Sequence, residues 1–207
     1  FEGGVPWVEG KKDQKPACSN GKALVLAVKL YEATSDVYYL ENAKRFYSWI
    51  WKWLRDPERN IIMNSWLTAD GGRAQFDPYT YNSGTMIQAG AALYRFTGEQ
   101  KYLNEALMLC EGTAKFFFHH TEDGIPFTYN IPWFDVVLFR GYQDVWSITG
   151  DTRYVDILIK ALDHAWENAR DPNGLICNDW TGRKDQMHKP KWLLDSSCIP
   201  EFLMLLK

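Results

Sequence analysis

The sequence predicts an all-α protein of repeated helical hairpins, stacked as a solenoid or closed into an α/α toroid. Three observations predict it. One phrase recurs: LYEATSDVYYLENA from Leu30, LYRFTGEQKYLNEA from Leu93 and VWSITGDTRYVDIL from Val145. Aligning Tyr39, Tyr102 and Tyr154 spaces the copies by 63 and 52 residues, as in arrays of helix pairs. In each copy a weakly charged helix ends at Thr-Ser or Thr-Gly, turns tightly and is followed by an amphipathic helix. The two helices of a pair also differ in kind, and this difference sorts them into layers.

In the first pair, residues 21–30 carry only two lysines, while Leu40, Ala43, Tyr47, Ile50 and Leu54 recur at helical steps with Glu41, Lys44 and Arg45 between them. In the second pair, residues 83–94 carry no charge, and Leu103, Ala106, Leu107, Cys110 and Ala114 form the next stripe. Tyr154, Leu158, Ala161 and Ala165 form the third. A helix that is apolar all round is packed on all sides. The first helices therefore form an inner layer and the second an outer one. Gly98 and Gly150 suit the left-handed position after a helix, and Asp36 and Asp151 suit the start of the next. A last helix is expected over 193–207.

That makes about seven helices in one domain, 1–207. The chain opens at FEGGVPW without a Met. Seven helices would leave apolar edges open, so the expected molecule is an incomplete ring, closed by helices upstream or by a second chain. Three long connections, at 55–81, 119–132 and 171–190, lead from outer to inner helices and elaborate one rim.

Composition excludes several functions. The net charge of −3 gives no footprint for nucleic acid. No uncharged apolar run reaches the roughly 20 residues that span a membrane. Cys18, Cys110, Cys177 and Cys198 form no C-x-x-C motif, and the adjacent His119 and His120 lack the spacing of a metal site. No cofactor is expected. With 10 Trp, 11 Tyr and 11 Phe, the chain has rings enough either for a filled core or for a groove that stacks on sugars.

The aromatic-polar phrases stand where inner helices begin. GGVPW (3–7), KPACSNG (15–21), YTYNSG (79–84), WFDVVLFRG (133–141) and KWLLDSSCIPEFLMLL (191–206), in this order, resemble glycoside hydrolase family 76, the bacterial endo-α-1,6-mannanase type. The resemblance spans the chain, as the C-terminal part of such an enzyme. Ser83 stands where the family often has Gln, and Asp135 where it often has Lys. The resemblance implies an (α/α)6 barrel with a groove for α-mannan, export to the periplasm or cell surface, and a retaining mechanism using an adjacent Asp-Asp. This chain contains no Asp-Asp, which is expected upstream. The catalytic residues are therefore not assigned.

Candidate substrate-binding residues are Trp7, Lys15, Ser19, Asn20, Asp77, Tyr79, Tyr81, Asn82, Asp135 and Arg140. Each has a plainer reading beside it. Trp7 is a sugar platform or a core residue. Lys15 reaches a sugar hydroxyl or points to solvent. Ser19, Asn20 and Asn82 line the groove or cap helices. Tyr79 and Tyr81 bind sugar or fill the rim. Asp77 faces the groove or makes a turn. Asp135 and Arg140 touch ligand or form a buried ion pair. Asp179 and Trp180 could extend the groove. The competing function is a non-catalytic glycan-binding protein of helical repeats. A sugar epimerase would want a histidine at an inner-helix start, where none stands.

Overall fold

The computed structural model describes residues 3–11, 14–67, 72–75 and 77–206. Its seven helices are α1 (Ala17–Thr34), α2 (Val37–Trp53), α3 (Thr80–Thr97), α4 (Gln100–Phe117), α5 (Pro132–Thr149), α6 (Arg153–Asn168) and α7 (Leu193–Leu205). The three repeated phrases are three antiparallel hairpins, and the odd helices pack side by side in the order α1, α3, α5, α7. The even helices cover them from outside through Tyr47, Ile50, Ala106, Cys110, Leu158 and Ala165, all buried. The uncharged helix α3 is buried along almost its whole length, as its composition requires.

Why the hairpins turn where they do is a matter of three side chains. Thr34, Thr97 and Thr149 each donate a hydroxyl to the carbonyl four residues back, at 2.7, 2.7 and 3.0 Å. The same oxygens accept the backbone N–H two residues on, from Asp36, Glu99 and Asp151. Ser35, Gly98 and Gly150 between them take left-handed φ of 58°, 71° and 73°, which stops each inner helix. Asp36 then caps α2 by accepting from Tyr38 N at 2.9 Å. Asp151 lies one residue before the cap of α6 and accepts from Arg153 N.

Inner helices approach closely at glycines. A Cβ on Gly84 would lie 2.7 Å from the Leu138 backbone, and one on Gly141 would lie 2.8 Å from the Gly84 carbonyl. The sheet content was not foreseen. The segment before α1 and the first two long connections carry short ladders: β1 (Gln14–Pro16), β2 (Arg55–Asp56), β3 (Ile61–Ile62), β4 (Ser65–Leu67), β5 (Arg73–Gln75), β6 (His119–His120) and β7 (Pro126–Phe127). They pair antiparallel as β1–β4–β5, β2–β3 and β6–β7. Pieces of two or three residues are too short to show the alternation that marks a strand. Phe76 and residues 68–71 of the first connection lie outside the described residues.

Candidate functional site

The site is built at the first turns of the inner helices, on the rim that carries the long connections. None of these helices has a side-chain cap at its start. Each instead places a buried amide or carboxylate in its first turn: Asn20, Asn82, Asp135 and Asp195.

Around them stands an aromatic group. Tyr79 and Tyr81 stack at 5.8 Å and 8°, and Tyr81 and Trp133 at 6.1 Å and 8°, so three near-parallel rings run from α3 to α5. Phe134 leans on Tyr81 at 4.5 Å and 59°. The alternating positions 79 and 81 straddle the helix start, where the backbone is still extended at Tyr79. All four rings are half-buried. Burial, above all, pushes the Tyr81 phenol well up; the hydrogen bond from Tyr79 to Asp77, 2.9 Å, does the same for Tyr79. Both phenols stay neutral donors at physiological pH.

Asp135 is the most perturbed acid of the rim. It is 4 % exposed, and burial raises its carboxyl to about 7 against the opposing hydrogen bonds from Thr128 and Thr80. Thr128 donates at 2.6 Å and Thr80 at 2.8 Å, which ties the 119–131 connection to the start of α3. Asp195 is held by Asn178 Nδ2 at 2.6 Å, and burial raises its carboxyl as well.

The expected pair of Asp135 and Arg140 does not form. Five residues along a helix turn the side chain by about 140°, so the two point to different faces. Arg140 pairs instead with Glu201 of α7. Lys22 of α1 feels both charges; partial burial first, and Arg140 next, hold its ammonium below the usual lysine range. Further along, Arg95 of α3 meets Asp144 of α5 at 3.6 Å. The inner face is thus a ladder of charges beneath an aromatic rim.

The other candidates separate by accessibility. Trp7 is 60 % exposed and stands free to meet a ligand, and Ser19 and Asp77 are accessible too. Lys15 does not project to solvent: it donates to the Gly3 carbonyl at 2.6 Å and lies 5.9 Å over Trp49. Gly3 and Gly4 pack on the same indole, where a Cβ on Gly4 would fall 2.6 Å from the ring. The Gly-Gly pair is therefore set by that contact. Asn20 is wholly engaged, accepting from Val5 N at 2.7 Å and donating to the Val5 and Pro16 carbonyls. Replacing it with Ala should release the 3–7 segment at a cost of about 1–3 kcal/mol, read as faster proteolytic clipping there. Asn82 is 1 % exposed, and both its amide atoms lack partners among the described residues. It does not cap α3, whose N-cap is Tyr79. Trp133, Phe134, Thr128 and Asn178 were not foreseen as site residues. The repeat could have found Trp133, which stands two residues before Asp135 as Tyr81 stands two before Ser83.

Among the described residues, no group of three or more His, Cys, Asp or Glu is placed to hold a metal ion, and all four cysteines are free thiols. No helix is long and apolar enough to cross a membrane.

Comparison with known proteins now bears on this rim. The sequence profile of glycosyl hydrolase family 76 matches residues 1–131. The chain belongs to this family. A curated family relative by name is the mannan endo-1,6-alpha-mannosidase of Candida albicans, 30 % identical over 112 residues, covering 51 % of this chain and 24 % of that protein. A family 76 mannosidase from Bacteroides thetaiotaomicron VPI-5482 superposes with a TM-score of 0.84 at 30 % identity, over 99 % of this chain and 58 % of its own. An inactive variant of the Salegentibacter α-1,6-mannanase, two aspartates replaced, was solved with α-1,6-mannotetrose; it gives a TM-score of 0.77 at 26 % identity over 98 % of this chain and 61 % of its own. The family 76 chain described here thus spans a quarter to about three-fifths of these relatives. It shares their all-α toroid fold.

Proposed function

We propose that the aromatic rim is one wall of a groove for α-1,6-linked mannan, in an enzyme that hydrolyses it with retention of configuration. One observation carries the reading: in a family 76 chain, Tyr79, Tyr81 and Trp133 stand as near-parallel, half-exposed rings at the inner-helix mouths. The outer faces of Tyr79 and Trp133 stack on the C–H patches of pyranose rings, and the Tyr79 hydroxyl oxygen, whose proton goes to Asp77, accepts from sugar hydroxyls. Retention requires two carboxylates, one attacking the anomeric carbon and one protonating the leaving oxygen. With no Asp-Asp in these 207 residues, that pair is proposed to lie in the portion of the fold this chain does not span. The exposed Leu26 of α1 and the exposed Leu193, Leu203 and Met204 of α7 mark the edges at which further hairpins would complete the ring. Meeting polymeric mannan places the protein outside the cytoplasm. Glycan binding without hydrolysis is the second reading, supported by the same aromatic rim.

The test uses the protein expressed from its complete gene, with α-1,6-mannan. Release of reducing ends, with the α-anomer formed first by NMR, is expected. Tyr81→Ala should lower kcat/KM about tenfold, because Tyr81 is the middle ring that holds Tyr79 and Trp133 in line. Binding without cleavage would select the second reading; neither binding nor cleavage would overturn both.

A further inference from the structure

Beside the aromatic rim lies a second concavity. It is a cleft of about 860 Å³ between the β6–β7 hairpin and the connection at 178–186. That volume falls in the range of about 300–1,000 Å³ of small-molecule sites. The second wall lies beyond residues 1–131, the part matched by the family profile.

Tyr129 is the feature that gives the cleft a use. It is 81 % exposed, yet it is held: His119 lies 4.7 Å away and Phe127 meets it edge-on at 5.4 Å and 88°. A large aromatic kept in solvent in a fixed orientation is a stacking platform. Arg183, from the connection at 178–186, lines the same cleft. The floor is made of Thr128, Asn130 and Asn178, which also line a small cavity of about 10 Å³ reaching Asp135. Thr128 donates to Asp135 and Asn178 to Asp195, so below the tyrosine face it is the remaining donor and acceptor positions of the Asn130 and Asn178 amides that can read a sugar.

The charges narrow the class. Glu122, Asp123 and Asp179 line the cleft against one guanidinium, Arg183, which Asp179 already engages at 2.7 Å. The cleft is net negative, so it repels phosphorylated or carboxylated glycans and admits neutral ones.

We propose that this cleft is a second site for a neutral oligosaccharide, taking a stretch of glycan that runs past the Tyr79–Tyr81–Trp133 rim on the same protein. The inference rests on the carbohydrate reading of that rim and adds to it a platform residue and a charge selectivity.

The experiment is affinity electrophoresis of the protein from its complete gene, in gels holding neutral α-1,6-mannan or phosphorylated mannan, beside Tyr129→Ala, Tyr129→Trp and Tyr81→Ala. Tyr129→Ala should weaken neutral-mannan affinity about tenfold, and Tyr129→Trp should restore it, since stacking survives the exchange. Glu122→Gln with Asp123→Asn should raise affinity for phosphorylated mannan and leave neutral mannan unchanged. If Tyr81→Ala weakens binding while Tyr129→Ala does not, the cleft is overturned and the rim stands. If the unaltered protein does not bind neutral mannan, both fail. Because Tyr129 is exposed, equal melting temperatures should show that each variant folds.

Discussion

Exchanging Gly84 for Val is expected to destabilise the protein by roughly 3 kcal/mol or to prevent its folding. The reason is geometric. At Gly84 the backbones of α3 and α5 touch, and the first added carbon meets the Leu138 Cα and N and the Val137 carbonyl, each at 2.7 Å. A backbone cannot rotate aside as a side chain would, so the two helices must part. Parting them opens the most enclosed layer of the molecule, where Met86, Ile87, Leu93 and Leu138 are fully buried. Branching at Cβ adds a smaller penalty inside a helix. Urea unfolding of Gly84→Val beside Ala33→Val, on the exposed side of α1, measures the difference. A Gly84 variant as stable as the Ala33 one would show that the inner helices do not meet as described.

Asp135 should make stability fall as pH rises. Its carboxyl titrates near 7 in the folded protein against an ordinary 3.8. Between those values the folded state binds a proton that the unfolded state has lost. The stabilisation is therefore complete below about pH 4 and is lost as pH climbs through 7. Three pH units of offset correspond to on the order of 3–4 kcal/mol. Asp135→Asn should flatten this part of the profile and unfold later than the unaltered protein at pH 8. The raised Asp195, whose shift is set by burial against hydrogen bonds from Asn178 and Trp133, contributes to both proteins alike, so the comparison isolates Asp135. Parallel profiles for the two would mean that Asp135 is ionised at neutral pH despite its burial.

Much of the fold was legible because helices announce themselves with a period. The stripes ending at Leu54, Ala114 and Ala165 and the Thr-Ser and Thr-Gly turns place three hairpins and two layers without any structure. The position of the rim was legible too, since the polar-aromatic phrases all precede inner helices. What single residues do there was less so. Lys15, Asn20 and Asn82 look alike in sequence to Tyr79 and Tyr81, as polar groups at a helix mouth. Only three-dimensional packing turns the first three inward, to the Gly3 carbonyl, to Val5 and to the interior. Asp135 and Arg140 failed as a pair for want of angular arithmetic, which the sequence did permit. Tyr129 and Asn178 come together from segments 49 residues apart, and no local pattern joins them.

The three threonine-clasped turns bear on how this protein can change. They all lie at one end of the hairpins, each only a few residues long, and they join helices that are neighbours in the chain. Pairing of this kind is local in sequence and forms early and independently of the far rim. The long connections at the opposite end can then be lengthened, shortened or exchanged at small entropic cost. The proposed glycan wall and the turns that set the helix pairing sit at opposite poles of the molecule, so the connections of that wall can vary while the apparatus that folds the chain is left alone.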